Sequence, residues 1–483
     1  MPLELLPLGG TVDSHGIKPS IGGSMYALID RSKNEALVID CGVYPSTAQG
    51  KTDPTEITPQ IEKPEMPKRI IGGREVPSLP PFHADMLSGD LEIDINAITE
   101  KNFPNFGVLS EFKTSIIITH AHADHVGALV SFKRQVPGVQ IFMTQETLEI
   151  ATWGWYDSIK IAQRENRIRL FSSLDVKALR EEVHIISPGI RIEIGSFSVM
   201  FTKAGHILGA IGVHITHAVH GNPSVFFTGD TSLSAQHSVD AAELPHGRTD
   251  ILVSEATRGG QEGHSRELVE EHLAQDVMGC LRQGGKVLFP ALSIGRPLEI
   301  YGVLKKYGVL DAFNVYIDGS ARELARIYRT FEKAPEEIED CFVTSNTERD
   351  IILRTGQPLV AIVPSGMLTG GFAVEYASSW GKSQRNLIAF SSYLDPCSPG
   401  YRMLKGGQRK ISLFGRRFVL RSQVAQYGLS SHISHKEILH MVETLKPRET
   451  FLVHGNQAGM DALAQEASSP IHSTFVNTSY QLI

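Results

Sequence analysis

The run Thr119-His120-Ala121-His122-Ala123-Asp124-His125 packs three imidazoles and a carboxylate into its last six residues. These are donors that zinc takes readily. In an extended chain, side chains two apart point the same way, so His120 and His122 can share one metal. Asp124 and His125 come where the chain turns into a helical pattern and can face a second metal. Two metals about 3.5–4 Å apart can clamp an attacking and a leaving oxygen, the arrangement used for hydrolysis. Chance clustering and helix capping are plainer explanations. The density of the motif directly behind the β-branched run Ser115 to Thr119 argues against them.

Three further donors share that placement, each just past a β-like run. His206 follows Val199 to Lys203, Asp230 follows Val225 to Thr228, and His454 follows Thr450 to Val453. Any one alone is better explained as a cap, a turn residue or a satisfied core histidine. Together they match the convergence of active-site groups at the carboxyl ends of strands in layered α/β folds.

The elements that must position these groups are legible as apolar runs. Leu3 to Leu8, Ser24 to Ile29 and Ala36 to Ile39 read as buried strands. Residues 45–104 change texture: prolines recur and periodic apolar residues are few, as in a long irregular insertion. From Thr114 onward strands alternate with helical patterns, which predicts α/β layering. Helices are expected over Val126 to Arg134, Arg266 to Arg282 and Pro297 to Tyr307. Strands are expected over Ile251 to Val253, Val287 to Phe289, Val315 to Ile317, Leu359 to Val363 and Leu387 to Phe390. The stretch after Asp250 is long enough to be a domain inserted into the first.

Composition sets bounds around this picture. The chain has 483 residues, 41% hydrophobic and 20% charged, ordinary for a globular protein of two or three domains. The opening MPLELLPLGG lacks the marks of a signal peptide and no apolar run approaches a membrane span, so a soluble, cytoplasmic protein is expected. Cys41, Cys280, Cys341 and Cys397 are scattered without CxxC spacing, which argues against a cysteine zinc knuckle. A net charge of −7 weighs against a globally basic nucleic-acid binder but leaves room for a local basic groove.

The ordered set HxHxDH, GH and TGD resembles the metallo-β-lactamase superfamily. The remainder is similar to its β-CASP nuclease branch. Glu255 in Leu252 to Thr257 resembles that branch's acidic motif A, His432 in Leu429-Ser430-Ser431-His432 its motif B, and His454 its motif C. Gly284 to Pro290 with Ile294-Gly295-Arg296, and the glycine-rich Ser365 to Gly371, resemble two more of its signatures. The resemblance covers nearly the whole chain outside 45–104. It implies an αββα metallo-β-lactamase sandwich with an inserted α/β β-CASP domain. The expected boundaries are 1–245 and 396–483 for the sandwich and 246–395 for the insert.

The resemblance also implies roles. One zinc takes His120, His122 and His206, the other takes Asp124, His125 and His454, and Asp230 bridges them. Other divalent metals remain open. The catalytic candidates are Asp124, His432 as general acid and Glu255 as its orienting partner, with Asp40 orienting a ligand histidine. The implied activity is a zinc-dependent ribonuclease in which a two-metal-activated hydroxide cleaves RNA, single-stranded RNA being the favoured partner. Histidine at motif C is shared with RNA-processing members such as the endonuclease subunit of the cleavage and polyadenylation factor. The rivals are a DNA nuclease of the same branch and a catalytically impaired scaffold that binds RNA or protein. No membrane partner is expected, and a homodimer or protein partners are left open.

This chain departs from the branch at motif B, where Ser434 stands in place of aspartate; weaker positioning of the acid is expected there. The basic groups Lys160, Arg164, Arg167 and Arg169; Arg402, Lys405, Arg409 and Lys410; Arg416, Arg417 and Arg421; and Arg322, Arg326 and Arg329 could line a phosphate path. Solvated or salt-bridged faces are the better expectation for each. No appended RNA-binding domain is expected beyond the two domains, so grip must come from them or from a partner.

Overall fold

The computed structural model describes residues 3–12, 22–44 and 103–482, apart from 165, 167–168, 219–220, 262–264, 397 and 406–409, and the backbone of 68–71 and 74–77. Most of the expected insertion, together with Arg167, Arg409 and Cys397, lies outside the described residues. Inside it, Lys68–Ile71 pairs antiparallel with Arg74–Pro77.

Two seven-stranded sheets stack face to face. In the first, Tyr480–Leu482, Leu3–Gly9, Met25–Asp30, Glu35–Ile39, Lys113–Ile117, Gln140–Thr144 and Val183–Ile186 lie in that order. The second runs Ile471–Ser473, Glu449–Val453, Ile251–Glu255, Val225–Phe227, Ile211–His217, Phe197–Lys203 and Arg191–Ile194. The alternation of side chains along a strand explains the layering. Phe227, Val253 and Phe451 face the first sheet in one buried cluster. Their neighbours Phe226, Leu252 and Leu452 face the other way, against Ile438, Met441 and Leu463 of the helices His435–Leu445 and Gln457–Glu466. Strands apolar on both faces are what a sheet covered on both sides requires.

A third, wholly parallel sheet forms the inserted unit, in the order Asn314–Ile317, Leu359–Val363, Val287–Pro290, Leu387–Phe390 and Gln423–Gln426. Two strands lie elsewhere than boundaries at 246 and 395 would put them. Ile251–Glu255 pairs with Val225–Phe227 and Glu449–Val453 inside the sandwich, and Gln423–Gln426 is an edge of the third sheet. The apolar run Ile251–Glu255 is buried throughout and so does not itself say which sheet it joins, while Gln423–Gln426 is too polar and exposed to read as a strand at all.

The helix expected over Val126 to Arg134 is two, Ala123–Val126 and Leu129–Gln135. The break falls at Gly127, where a Cβ would lie 2.9 Å from Val43 and 2.4 Å from the Ala123 carbonyl oxygen. The helix Arg266–Arg282 has the expected bounds, and the next runs Arg296–Lys306. Among the described residues no helix is long and apolar enough to cross a membrane.

Candidate active site

Five loops leave carboxyl ends of sandwich strands and meet at one buried point. The strand Lys113–Ile117 leads into His120, His122, Asp124 and His125; Phe197–Lys203 into His206; Val225–Phe227 into Asp230. Glu255 ends Ile251–Glu255, and His454 follows Glu449–Val453. Gly205 makes the turn before His206 with φ +72°, and a Cβ there would sit 2.5 Å from the Ser232 carbonyl oxygen.

The structure brings all seven expected donors together in two groups that could hold metal ions, His120, His122, His206 and Asp230, and Asp124, His125 and His454. His122 Nδ1 lies 3.1 Å from His120 Nε2 and 3.0 Å from His206 Nε2. Asp124 Oδ2 lies 3.1 Å from His454 Nε2 and 3.8 Å from His125 Nε2. Asp230 stands between the groups. Its Oδ2 is 3.6 Å from His120 Nε2, 3.7 Å from His206 Nε2 and 3.4 Å from His125 Nε2.

The rings are fixed from behind. His125 Nδ1 donates to Asp40 Oδ2 at 2.7 Å, and His206 Nδ1 donates to the Ser431 carbonyl at 3.0 Å. The Thr119 hydroxyl donates to Asp40 Oδ2 at 2.8 Å, so it accepts from His120 Nδ1 at 3.1 Å. Each of these three rings, when neutral, therefore turns an unprotonated Nε2 toward the centre. Asp40 thus orients His125, as the resemblance implies, and it does so from a left-handed backbone at φ 64°.

Electrostatics bear on whether this donor set fits cations. Burial holds His120 and His206 well below the usual imidazole range, and a metal ligand must be neutral. Burial acts to raise the Asp230 carboxyl, but His454 and His125 outweigh it and hold the group well below the usual carboxylate range. Asp230 Oδ1 is buried without a hydrogen-bond partner. The His120 and His206 rings beside an ionised carboxylate fit a divalent cation. At His125 and His454 burial is outweighed by the carboxylates, which hold both rings above the usual imidazole range, so a second cation would displace protons from those two rings.

His432 and Glu255 adjoin the cluster. His432 Nδ1 lies 2.9 Å from Glu255 Oε2 and 3.9 Å from Asp230 Oδ2. The Thr231 amide donates to Glu255 Oε1 at 2.8 Å. The expected weakness at Ser434 has a local explanation. Ser434 caps the helix His435–Leu445 in a capping box with Glu437, a task serine and aspartate share, while Glu255 is what holds His432.

Thr257 is no candidate by sequence yet joins the site. The Thr257 hydroxyl reaches Glu255 Oε2 at 2.5 Å and His454 Nδ1 at 3.0 Å. A hydroxyl has one proton, and the carboxylate is its stronger acceptor, so Thr257 accepts from His454 Nδ1 and turns His454 Nε2 toward Asp124. The one available signal was its position two residues past Glu255, hence on the same side of an extended chain.

The remaining expectations divide. Arg326 pairs with Glu323 at 2.8 Å, Arg329 with Glu339, and Arg322 donates to the Val343 carbonyl, so this trio is a bonded surface. His217 pairs with Asp30 at 2.8 Å and His237 with Glu270 at 3.0 Å. His220 and His264 lie outside the described residues.

The inserted unit closes over the cluster. Leu292, Ile294 and Arg296, leaving the central strand Val287–Pro290, line a small pocket together with His122, His206 and Ser431. This arrangement of sandwich, insert and cluster coincides with known families. Residues 114–290 match the metallo-beta-lactamase superfamily, 299–403 the Beta-Casp domain, and 419–476 the Zn-dependent metallo-hydrolase RNA specificity domain. The chain belongs to the β-CASP branch of the metallo-β-lactamase superfamily. It is similar to transcription termination factor FttA of Pyrococcus abyssi, 30% identical over 76% of this chain and 62% of that one. FttA of Thermococcus kodakarensis is 30% identical over 80% of this chain and 65% of its own length. Cleavage and polyadenylation specificity factor subunit 3-II of Arabidopsis thaliana is 27% identical over 76% and 63%. The chain spans less than two thirds of the length of these curated relatives. In fold it resembles the crystal structure of a protein of unknown function from Enterococcus faecalis V583, with a TM-score of 0.56 at 13% identity, covering 99% of this chain and all of that one.

Proposed function

We propose that the chain is a cytoplasmic, zinc-dependent ribonuclease that hydrolyses RNA phosphodiester bonds with two metal ions. The observation that carries this reading is a His432–Glu255 pair standing against a seven-donor cluster at the mouth of an interdomain pocket. His120, His122 and His206 would hold one ion and Asp124, His125 and His454 the other, with Asp230 shared. Bound there, the ions would supply Lewis acidity and a water acidic enough to ionise near neutral pH.

The chain's own groups supply the rest. Glu255 accepts from Nδ1 of His432, so Nε2 would be the nitrogen that acts on the substrate. His432 would give its proton to the departing RNA oxygen. Thr231 and Thr257 fix Glu255 in turn. Asp40 and the Ser431 carbonyl hold His125 and His206 in register, so little reorganisation accompanies the reaction. The match to an RNA specificity domain over 419–476, which contains His432 and His454, favours RNA over DNA as substrate.

Purified protein incubated with end-labelled RNA and single-stranded DNA, with and without chelator, tests this reading. RNA cleavage that chelator stops and zinc restores is expected. Preferential cutting of DNA would replace the substrate, and cleavage of neither polymer by zinc-loaded protein would sink the proposal.

A further inference from the structure

We infer that Phe372 and Tyr393 are stacking platforms for unpaired bases of a single RNA strand, one on each side of the third sheet's central strand. The inference rests on the ribonuclease reading and adds how substrate is gripped.

Among the described residues, these are the two exposed aromatic side chains, at 39% and 54%. Isolated exposed apolar residues need no explanation. Their shared location does. Both lie in segments leaving carboxyl ends of the third sheet. Phe372 comes after Leu359–Val363 and Tyr393 after Leu387–Phe390. Those strands flank Val287–Pro290 on either side. The exit segment of that central strand is the one lining the pocket with His122 and His206. Both rings thus stand at the end of the third sheet from which that lining segment leaves, on either side of its central strand.

Phe372 is backed by a fixed cation, and Tyr393 stands on an anchored backbone. The Arg349 guanidinium lies 3.4 Å from the centroid of the Phe372 ring and is held by buried Asp318 at 2.5 and 2.8 Å. One face of the ring is therefore covered by a fixed cation, while the residue as a whole keeps 39% of its surface exposed. Gly319 lies alongside: a Cβ there would be 3.7 Å from the ring. Tyr393 sits between buried Ser392 and buried Leu394, and the Ser392 carbonyl accepts from Gln426 at 2.8 Å. An exposed ring on an anchored backbone loses little entropy when a base stacks on it. Every base has a π-face, so such platforms grip single strands with little regard to sequence. The grip suits a chain of net charge −7, which has little overall positive potential to attract phosphates.

The test uses the full-length protein in chelator, which prevents turnover, and short single-stranded RNA with 2-aminopurine at successive positions. Unaltered protein should quench the fluorophore at two positions separated by a gap. Phe372→Ala should abolish quenching at one and Tyr393→Ala at the other, each weakening RNA binding about tenfold. Phe372→Trp and Tyr393→Phe should retain both effects. An abasic RNA lacking the corresponding base should bind the alanine variant as well as it binds unaltered protein. RNA bound equally by unaltered and alanine variants, with quenching unchanged, overturns the platforms and leaves the ribonuclease reading standing. Failure of the unaltered protein to bind RNA removes both.

Discussion

The floor of the site and its rim are built on opposite principles. On the floor, His120, His125, His206 and His454 are each held by a second partner, respectively Thr119, Asp40, the Ser431 carbonyl and Thr257. Loss of one donor therefore disturbs a network rather than a contact. On the rim, Phe372 and Tyr393 present exposed aromatic surface from anchored segments. The floor is fitted to chemistry that tolerates little displacement, whereas the rim is fitted to a polymer whose units vary. Substitutions on the floor should act on metal content and turnover, and substitutions on the rim on affinity.

The contrast breaks most visibly at His122, whose Nδ1 meets two other ring nitrogens at 3.1 and 3.0 Å. His122→Ala should lower bound zinc and reduce RNA cleavage to background. Metal analysis on purified protein checks the first, and unchanged zinc would remove His122 from the donor set. His432→Ala sharpens the distinction within the floor. It removes a proton donor but none of the seven proposed ligands, so zinc content should hold while turnover falls about 10²–10⁴-fold. Zinc loss in that variant would mean His432 is a ligand rather than the acid.

What the sequence made legible follows the same division. The floor could be read because its donors stand in dense or repeated contexts: four in His120 to His125, and the others each just past an apolar strand. Asp40 was readable only through the family resemblance, since its strand-end position alone suggests a turn residue, and in the fold it binds His125. Thr257 was not readable, since a threonine past a strand is ordinary and its two partners, Glu255 and His454, meet only in the fold. Four of the third sheet's five strands were visible as apolar runs; Gln423–Gln426 was not, and its place, like that of Ile251–Glu255, depends on pairing between distant segments. Phe372 and Tyr393 carry no motif, and their common location appears only when parallel strands line up their carboxyl ends.

Thr257 tests how far the floor's network extends. Thr257→Val keeps the shape but removes the hydroxyl that links Glu255 to His454. It should cost about 10–100-fold in zinc affinity or turnover, the range for groups that orient metal ligands. Thr257→Ser restores the hydroxyl and should recover most of that loss, measured by zinc competition and by initial cleavage rate. A valine variant indistinguishable from the unaltered chain would show that His454 keeps its orientation without this bond.

The smallest effect is expected where a basic residue is already engaged. Arg326 is exposed, bonded to Glu323 three residues earlier, and stacked over Phe342 at 5.2 Å. Exposed pairs of this kind contribute about 0.2–1 kcal/mol. Arg326→Ala should therefore shift the urea midpoint slightly and leave RNA affinity and its salt dependence unchanged. If Arg326 instead contacted phosphate, the slope of log affinity against log salt would become shallower by about one unit. Measured beside Phe372→Ala, whose affinity loss should persist at high salt because stacking releases no counterions, the variant separates charge from aromatic surface as the source of grip.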